Sequence, residues 1–220
     1  MIPEGPSQKR TVFLVDDHPL VRDGLAQLIN QESDFRVCGE AEDANIAYAE
    51  MARGQPDAAI IDLSLRSGSG LDLIKRLQDL PHPPSILVLS MHDEAFYAER
   101  ALRAGALGYV MKRETSGRVI GALRQILQGK LYVSAAIASQ AAEKFLLRRP
   151  GPSAVECLTD REIEVFRRIG QGQENRHIAE ELHLSLKTVQ AHCANIKQKL
   201  GLENATVLMR EAVKWVESTR

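Results

Sequence analysis

With 220 residues and a formal net charge of −1, the chain is long for one compact domain and comfortable for two. Its 44% hydrophobic and 26% charged residues supply two cores and exclude extended disorder away from the ends. No apolar run approaches the roughly 20 residues of a membrane span, and three scattered cysteines (Cys38, Cys157, Cys193) make neither a disulfide framework nor a CxxC zinc pair. A reduced, cytoplasmic protein is expected, with no membrane partner.

Residues 1–10 are polar, with Pro and Gly, and read as a disordered N-terminus. From residue 11 to about 130, short apolar runs alternate with amphipathic stretches, the pattern of a parallel sheet with helices on both faces. Strands are expected at 11–15, 35–41, 58–61, 86–89 and 108–111, and helices at 20–30, 44–53, 71–78, 94–104 and 116–128. These are five βα units of an α/β, doubly wound, five-stranded parallel sheet. Residues 131–156 read as a linker with a helix at 135–149, ended by Arg148-Arg149-Pro150-Gly151-Pro152. Residues 157–220 are expected to form a second, all-α, four-helix domain. Thr159-Asp-Arg-Glu162 fits a capping box, further helices follow at 175–182 and 203–216, and Ser185 caps one running to Leu200.

In open parallel sheets, chemistry collects at the carboxyl ends of the strands. There the first strand ends in Asp16-Asp17, the third in Asp62 and the fourth in Ser90, while the fifth leads to Lys112. Three carboxylates in one pocket repel each other unless a cation is present, and an oxygen-only ligand set points to Mg2+. Asp62 would then be an ionised nucleophile towards a phosphoryl group whose oxygens the metal and Lys112 neutralise. Each residue also has a plainer use: an Asp pair caps a helix, and Tyr109 fills a core. An aspartate-dependent phosphatase would carry a second Asp two positions after the first, where His18 stands here.

Leu14-Val-Asp-Asp-His18, Ile61-Asp-Leu63, Leu89-Ser90 and Gly108-Tyr-Val-Met-Lys112 resemble the receiver domain of bacterial response regulators, a flavodoxin-like fold, over residues 11–130. The resemblance implies that Asp62 is the phospho-acceptor and that Asp16, Asp17 and Asp62 hold Mg2+. It also makes Ser90 the phosphate-sensing hydroxyl, Tyr109 the switch aromatic and Lys112 the phosphate-neutralising base. Departures are Arg66 and Arg113, where the family commonly has proline. A receiver switched by a ligand or partner without phosphate is the alternative, which intact Asp62 and Lys112 disfavour.

Residues 153–220 hold ten Lys plus Arg and ten Asp plus Glu, so bulk charge does not make this segment basic. Within residues 185–200, however, Lys187, Lys197 and Lys199 stand with His192 and no acid. Ile178, Ala179, Leu182 and Leu184, followed by Val189, Ile196 and Leu200, give two helices with facing apolar sides, as in a helix-turn-helix. Val189 reads as core, which leaves Lys187, Gln190, Ala191 and Ala194 towards the major groove, Gln190 suited to adenine and the alanines to thymine methyls. Thr188, Lys197 and Lys199 read as phosphate binders.

Leu158 to Val165, Asn175 to Ala179 and Ser185 to Leu200 resemble the LuxR-type domain of the NarL/FixJ response-regulator subfamily. Arg176-His177, Leu186 and Gln190 depart from the usual residues, and Arg176, Ser185 and His192 join the expected DNA contacts. Val207, Leu208 and Trp215 on the last helix are candidate dimer contacts, with a core role as the alternative. A helical protein-interaction domain is the rival reading of the whole segment. The implied protein is a two-component response regulator and not an enzyme, phosphorylated by a histidine kinase. It would form a homodimer when phosphorylated and bind an operator of two half-sites.

Overall fold

The structure, a computed structural model, describes residues 9–65, 69–91, 94–114, 116–146, 154–182 and 184–218. The expected disordered residues 1–8, Arg66 and the Pro-Gly-Pro linker signal lie outside the described residues. The chain divides into two compact units, 1–143 and 144–220.

In the first unit, five parallel strands, β1 (Arg10–Val15), β2 (Phe35–Ala41), β3 (Ala58–Ile61), β4 (Ser85–Ser90) and β5 (Gly108–Met111), lie in the order β2-β1-β3-β4-β5. Strand β1 starts one residue earlier than expected, because Arg10 pairs in register with Phe35 and its guanidinium reaches Asp57. Residues 12–15, 58–61 and 86–89 are all buried, as strands covered on both faces must be.

Helices α1 (Pro19–Asn30) and α5 (Ser116–Ile126) supply Leu25, Ile29, Val119, Leu123 and Ile126 to a core with Val12, Leu14, Ile60, Leu87 and Val110. Residues of opposite parity on the strands, Tyr109 among them, point to the other face. Buried side chains of α2 (Ala44–Gly54), α3 (Gly70–Gln78) and α4 (Glu94–Ala104) cover it. Local chemistry starts these helices: Pro19 sits in the first turn of α1, Asp43 accepts from Asn45 and Ile46 N–H, and Ser69 accepts from Asp72 N–H.

Helix α5 is shorter than expected, ending at Ile126, and Gly129 (φ 72°) turns the chain back. Tyr132 then pairs with the outer edge of β5: its N–H donates to Leu107 O and its carbonyl accepts from Tyr109 N–H, both at 2.9 Å. The start of the expected linker is thus tied to the sheet and covers an otherwise open strand edge. Helix α6 (Ala135–Leu146) follows, with Ser134 Oγ accepting from Ile137 N–H.

In the second unit a short 3-10 turn (Ala154–Cys157) precedes α7 (Asp160–Gly170), α8 (Asn175–Glu181), α9 (Leu186–Leu200) and α10 (Ala205–Ser218). The Thr159–Glu162 capping box forms as expected, Ser185 caps α9, and Gly201 (φ 65°) closes it. Val165, Ile178, Val189, Ile196 and Ala212 are fully buried and make the small core. Among the described residues no helix is long and apolar enough to cross a membrane.

Candidate functional site

Register places the acidic residues. Val15 pairs with Ile61, so Asp16 and Asp62 emerge side by side from adjacent strands. Asp62 N–H donates to Val15 O at 2.8 Å, and Asp16 N–H to Ala41 O at 3.1 Å. Ser90, fully buried, ends β4 on the same rim, and its carbonyl accepts from Lys112 N–H at 2.8 Å. The order of strands puts β1 and β3 at the point where the direction of winding reverses, the usual location of a ligand site in such sheets.

Lys112 Nζ lies 2.6 Å from Asp16 Oδ2 and 2.6 Å from Asp62 Oδ2. Both carboxylates are 3% exposed. Burial pushes Asp62 above the ordinary carboxylate range; Lys112 opposes the shift, and neighbouring Asp16 adds to it. Burial alone would lower the Lys112 ammonium, but its contacts with Asp62 and Asp16 outweigh that and hold it up, so it stays charged. Asp62 Oδ1 accepts from Ser64 N–H at 3.2 Å.

One ligand atom each from Asp16, Asp17, His18 and Asp62 lies within 4.8 Å of the others. Asp17 Oδ1 is buried and accepts no well-directed hydrogen bond, although His18 Nδ1 lies 2.7 Å from it. A buried, unmatched carboxylate oxygen is costly unless a cation meets it, and a set dominated by carboxylates suits a hard divalent ion. The residues therefore fit a metal ion.

Of the residues expected here, Asp16, Asp17, Asp62 and Lys112 converge directly, and Ser90 stands on the same rim. Tyr109 sits deeper, 2% exposed, three positions before Lys112. Two contributors lie outside those expectations. Arg22 on α1 donates from Nη1 to the Asp16 carbonyl and lies 3.5 Å from Glu40 on β2, which fastens the loop bearing the acid pair. Gly70 opens α3 hard against the Asp62 carbonyl and Leu63 Cα, where any side chain would collide with backbone. A hint existed for Gly70 in its place just after a Ser N-cap, and none for Arg22.

On α9, Val189 and Ile196 are fully buried, and Lys187, Gln190, Ala191 and Ala194 are exposed on the outward side. Ser185 is exposed and its Oγ lies 2.7 Å from Thr188 Oγ1. Arg176 is exposed, 3.8 Å from Glu180; Lys197 is half-buried. Two expected contacts point elsewhere. Lys199 Nζ is 2.7 Å from Glu162 Oε2 on α7. His192 is half-buried; burial pushes its imidazole down towards the neutral form, against Glu162. Asn195 and Gln198 share the exposed side, an extension of the helical spacing beyond the residues singled out above. Of the dimer candidates, Leu208 is 3% exposed within this unit's own core. Trp215 packs on Phe166 with ring centroids 5.6 Å apart, and Val207 is half-buried. Among the described residues the large exposed apolar side chain on α10 is Met209, at 50%.

Residues 12–142 match the family model of the response regulator receiver domain, and residues 156–212 that of the bacterial regulatory proteins of the luxR family. The oxygen regulatory protein NreC of Staphylococcus aureus is 32% identical over 209 residues, 92% of this chain and 96% of that protein. RcsB from Salmonella enterica serovar Typhimurium, solved on the promoter rprA in the presence of the phosphomimetic BeF3-, is 28% identical. The match covers 92% of this chain and 98% of that one, with a TM-score of 0.58. A structure of two RcsB dimers bound to two parallel DNAs is 26% identical, covering 96% and 99%, with a TM-score of 0.57. A receiver followed by a LuxR-type helix-turn-helix defines a transcription regulator rather than an enzyme. The chain belongs to the two-component response regulators of the NarL/FixJ subfamily.

Proposed function

We propose that Asp62 accepts a phosphoryl group from a histidine kinase and that this modification controls binding of α9 to an operator. The observation that carries the reading is Lys112 Nζ, 2.6 Å from both Asp16 and Asp62 in a pocket that buries both carboxylates. Asp16, Asp17 and Asp62 would hold Mg2+, which supplies positive charge against the incoming phosphoryl oxygens. Asp62 attacks phosphorus through a carboxylate oxygen, and the bond from phosphorus to the donor nitrogen breaks. Lys112 then transfers one of its contacts from Asp62 to a phosphoryl oxygen, and the Ser90 hydroxyl donates to another. Both residues lie at the ends of β4 and β5, so the change is felt in the loops beside Tyr109.

In the second unit, Lys187, Gln190, Ala191 and Ala194 face the major groove, with Ser185, Thr188, Arg176 and Lys197 near phosphates. His192 and Lys199, as placed, act through the packing of α9 on α7. The promoter complex of RcsB with a phosphomimetic, and its dimers on DNA, support a phosphorylated homodimer on two half-sites, for which Met209, Val207 and Trp215 offer apolar surface on α10. A protein of this kind works in the cytoplasm, beside its DNA.

The test uses the full chain and its Asp62→Asn variant with a small phosphodonor. Incorporation of phosphate and stimulation of DNA binding are expected in the parent and lost in the variant. Equal stimulation in the two ends the reading.

A further inference from the structure

The mechanism above leaves His18 unused, although it stands in the acidic pocket. Pro19 bars the preceding residue from helical backbone, and His18 is extended (φ −98°, ψ 107°) at the N-cap of α1 without capping the helix through its side chain. The ring turns back over the acid pair instead. Its Nδ1 lies 2.7 Å from Asp17 Oδ1 and 3.2 Å from Asp16 Oδ1. The longer contact is a hydrogen bond in which the Asp16 carboxylate accepts from the ring nitrogen, and the shorter is a close approach to Asp17 without hydrogen-bond geometry. Lys112 engages the Oδ2 atoms of Asp16 and Asp62, and on the opposite side Asp16 Oδ1 accepts the His18 backbone N–H at 2.9 Å and lies beside the imidazole, as does Asp17 Oδ1.

From this geometry we infer that His18 is a nitrogen ligand, and that the pocket is also a site for a borderline transition dication, Zn2+ above all. The inference rests on the metal-binding reading of the pocket. Asp16, Asp17, His18 and Asp62 offer one nitrogen and three carboxylate oxygens within 4.8 Å. In a tetrahedral zinc shell neighbouring ligand atoms are ~3.4 Å apart, so small side-chain movements close it. An imidazole adds much to the binding of Zn2+ and its neighbours and little to that of Mg2+, which prefers oxygen and retains water. Four protein ligands also leave Zn2+ without an open position, whereas a six-coordinate Mg2+ keeps positions for phosphoryl oxygens. Zn2+ is therefore a competitive brake on phosphorylation of Asp62. His18 is 65% exposed at its side chain, so ions exchange without unfolding.

The experiment measures Zn2+ and Mg2+ affinities of the full chain by calorimetry for the parent, His18→Gln and Asp17→Asn, with Co2+ absorption spectra as a geometric readout. In the parent, Zn2+ binds more tightly than Mg2+ and Co2+ gives the intense visible bands of tetrahedral coordination. His18→Gln lowers the Zn2+-over-Mg2+ preference about tenfold and removes those bands, and Asp17→Asn abolishes the site for both ions. A preference unchanged in His18→Gln overturns the inference, as does Zn2+ binding that survives Asp17→Asn, since it would then belong to other histidines. Failure of both ions to bind the parent overturns the metal-binding reading of the pocket itself. Binding of both ions with no role for His18 leaves that reading standing and removes only this one.

Discussion

Lys199 Nζ, near the end of α9, lies 2.7 Å from Glu162 Oε2, a carboxylate 3% exposed in the first turn of α7. The same oxygen accepts from Thr159 N–H at 2.8 Å, so the ion pair and the capping box share one atom. A residue whose charge suggests DNA is thereby held against another helix.

Lys199→Met should destabilise the second unit by roughly 1–2 kcal/mol, since a buried carboxylate loses a charged partner while keeping its backbone donor. Urea unfolding of the full chain checks this. The salt dependence of DNA binding should change little, because the lysine contributes no released counterion.

The same pair gives a dependence on pH. Burial tends to raise Glu162, but the bonds from Lys199 and Thr159 together outweigh it and hold the carboxyl below its ordinary value. A depressed carboxyl stabilises the fold above its unfolded pKa, and that contribution is lost as pH falls through the folded one. The second unit should therefore lose thermal stability as pH drops below about 4.5. Glu162→Gln should be less stable at neutral pH, with a shallower slope in that acid window. Identical slopes in parent and variant would show that other groups govern it.

Gly70→Ala should reach backbone at the Asp62 carbonyl and Leu63 Cα, atoms that cannot swing aside as a side-chain tip can. A stability loss of roughly 1–3 kcal/mol is expected, together with slower phosphate incorporation at Asp62. Thermal unfolding and donor-dependent labelling would be read side by side. Unaltered rates would mean that Asp62 tolerates displacement of its loop.

Gly108→Ala bears on the return of the chain to β5. An added methyl would meet Leu87 Cδ1 at 2.8 Å, and Ile126 Cγ2 and Tyr132 O at 3.2 Å. The pairing of Tyr132 with β5 should loosen, and the amides of Tyr109 and Tyr132 should exchange with deuterium faster than in the parent.

On the outward side of α9, Lys187→Ala should weaken DNA binding at all sequences and reduce the salt slope by about one. Gln190→Ala should instead cost roughly 1–3 kcal/mol of discrimination at one base pair. A binding assay across operator variants and salt concentrations separates the two behaviours. Equal effects on all sequences from both changes would remove Gln190 from base reading.

Residue order alone was enough for the alternation of strands and helices, the second helical unit, and which strand ends carry Asp16, Asp17, Asp62, Ser90 and Lys112. All of these follow from local periodicity, capping residues and the rule that places chemistry at strand ends. The exposed face of α9 was legible for the same reason, since Gln190 and Ala191 follow Val189 by one and two residues, about 100° and 200° round the helix from it. Tertiary structure alone decided the partners of long side chains. Arg22 reaches the Asp16 carbonyl, Lys199 reaches Glu162, and the Tyr132 backbone joins β5. Such contacts depend on distances between segments far apart in the chain, and a flexible charged side chain looks the same in sequence whether it ends on phosphate, on water or on a buried carboxylate.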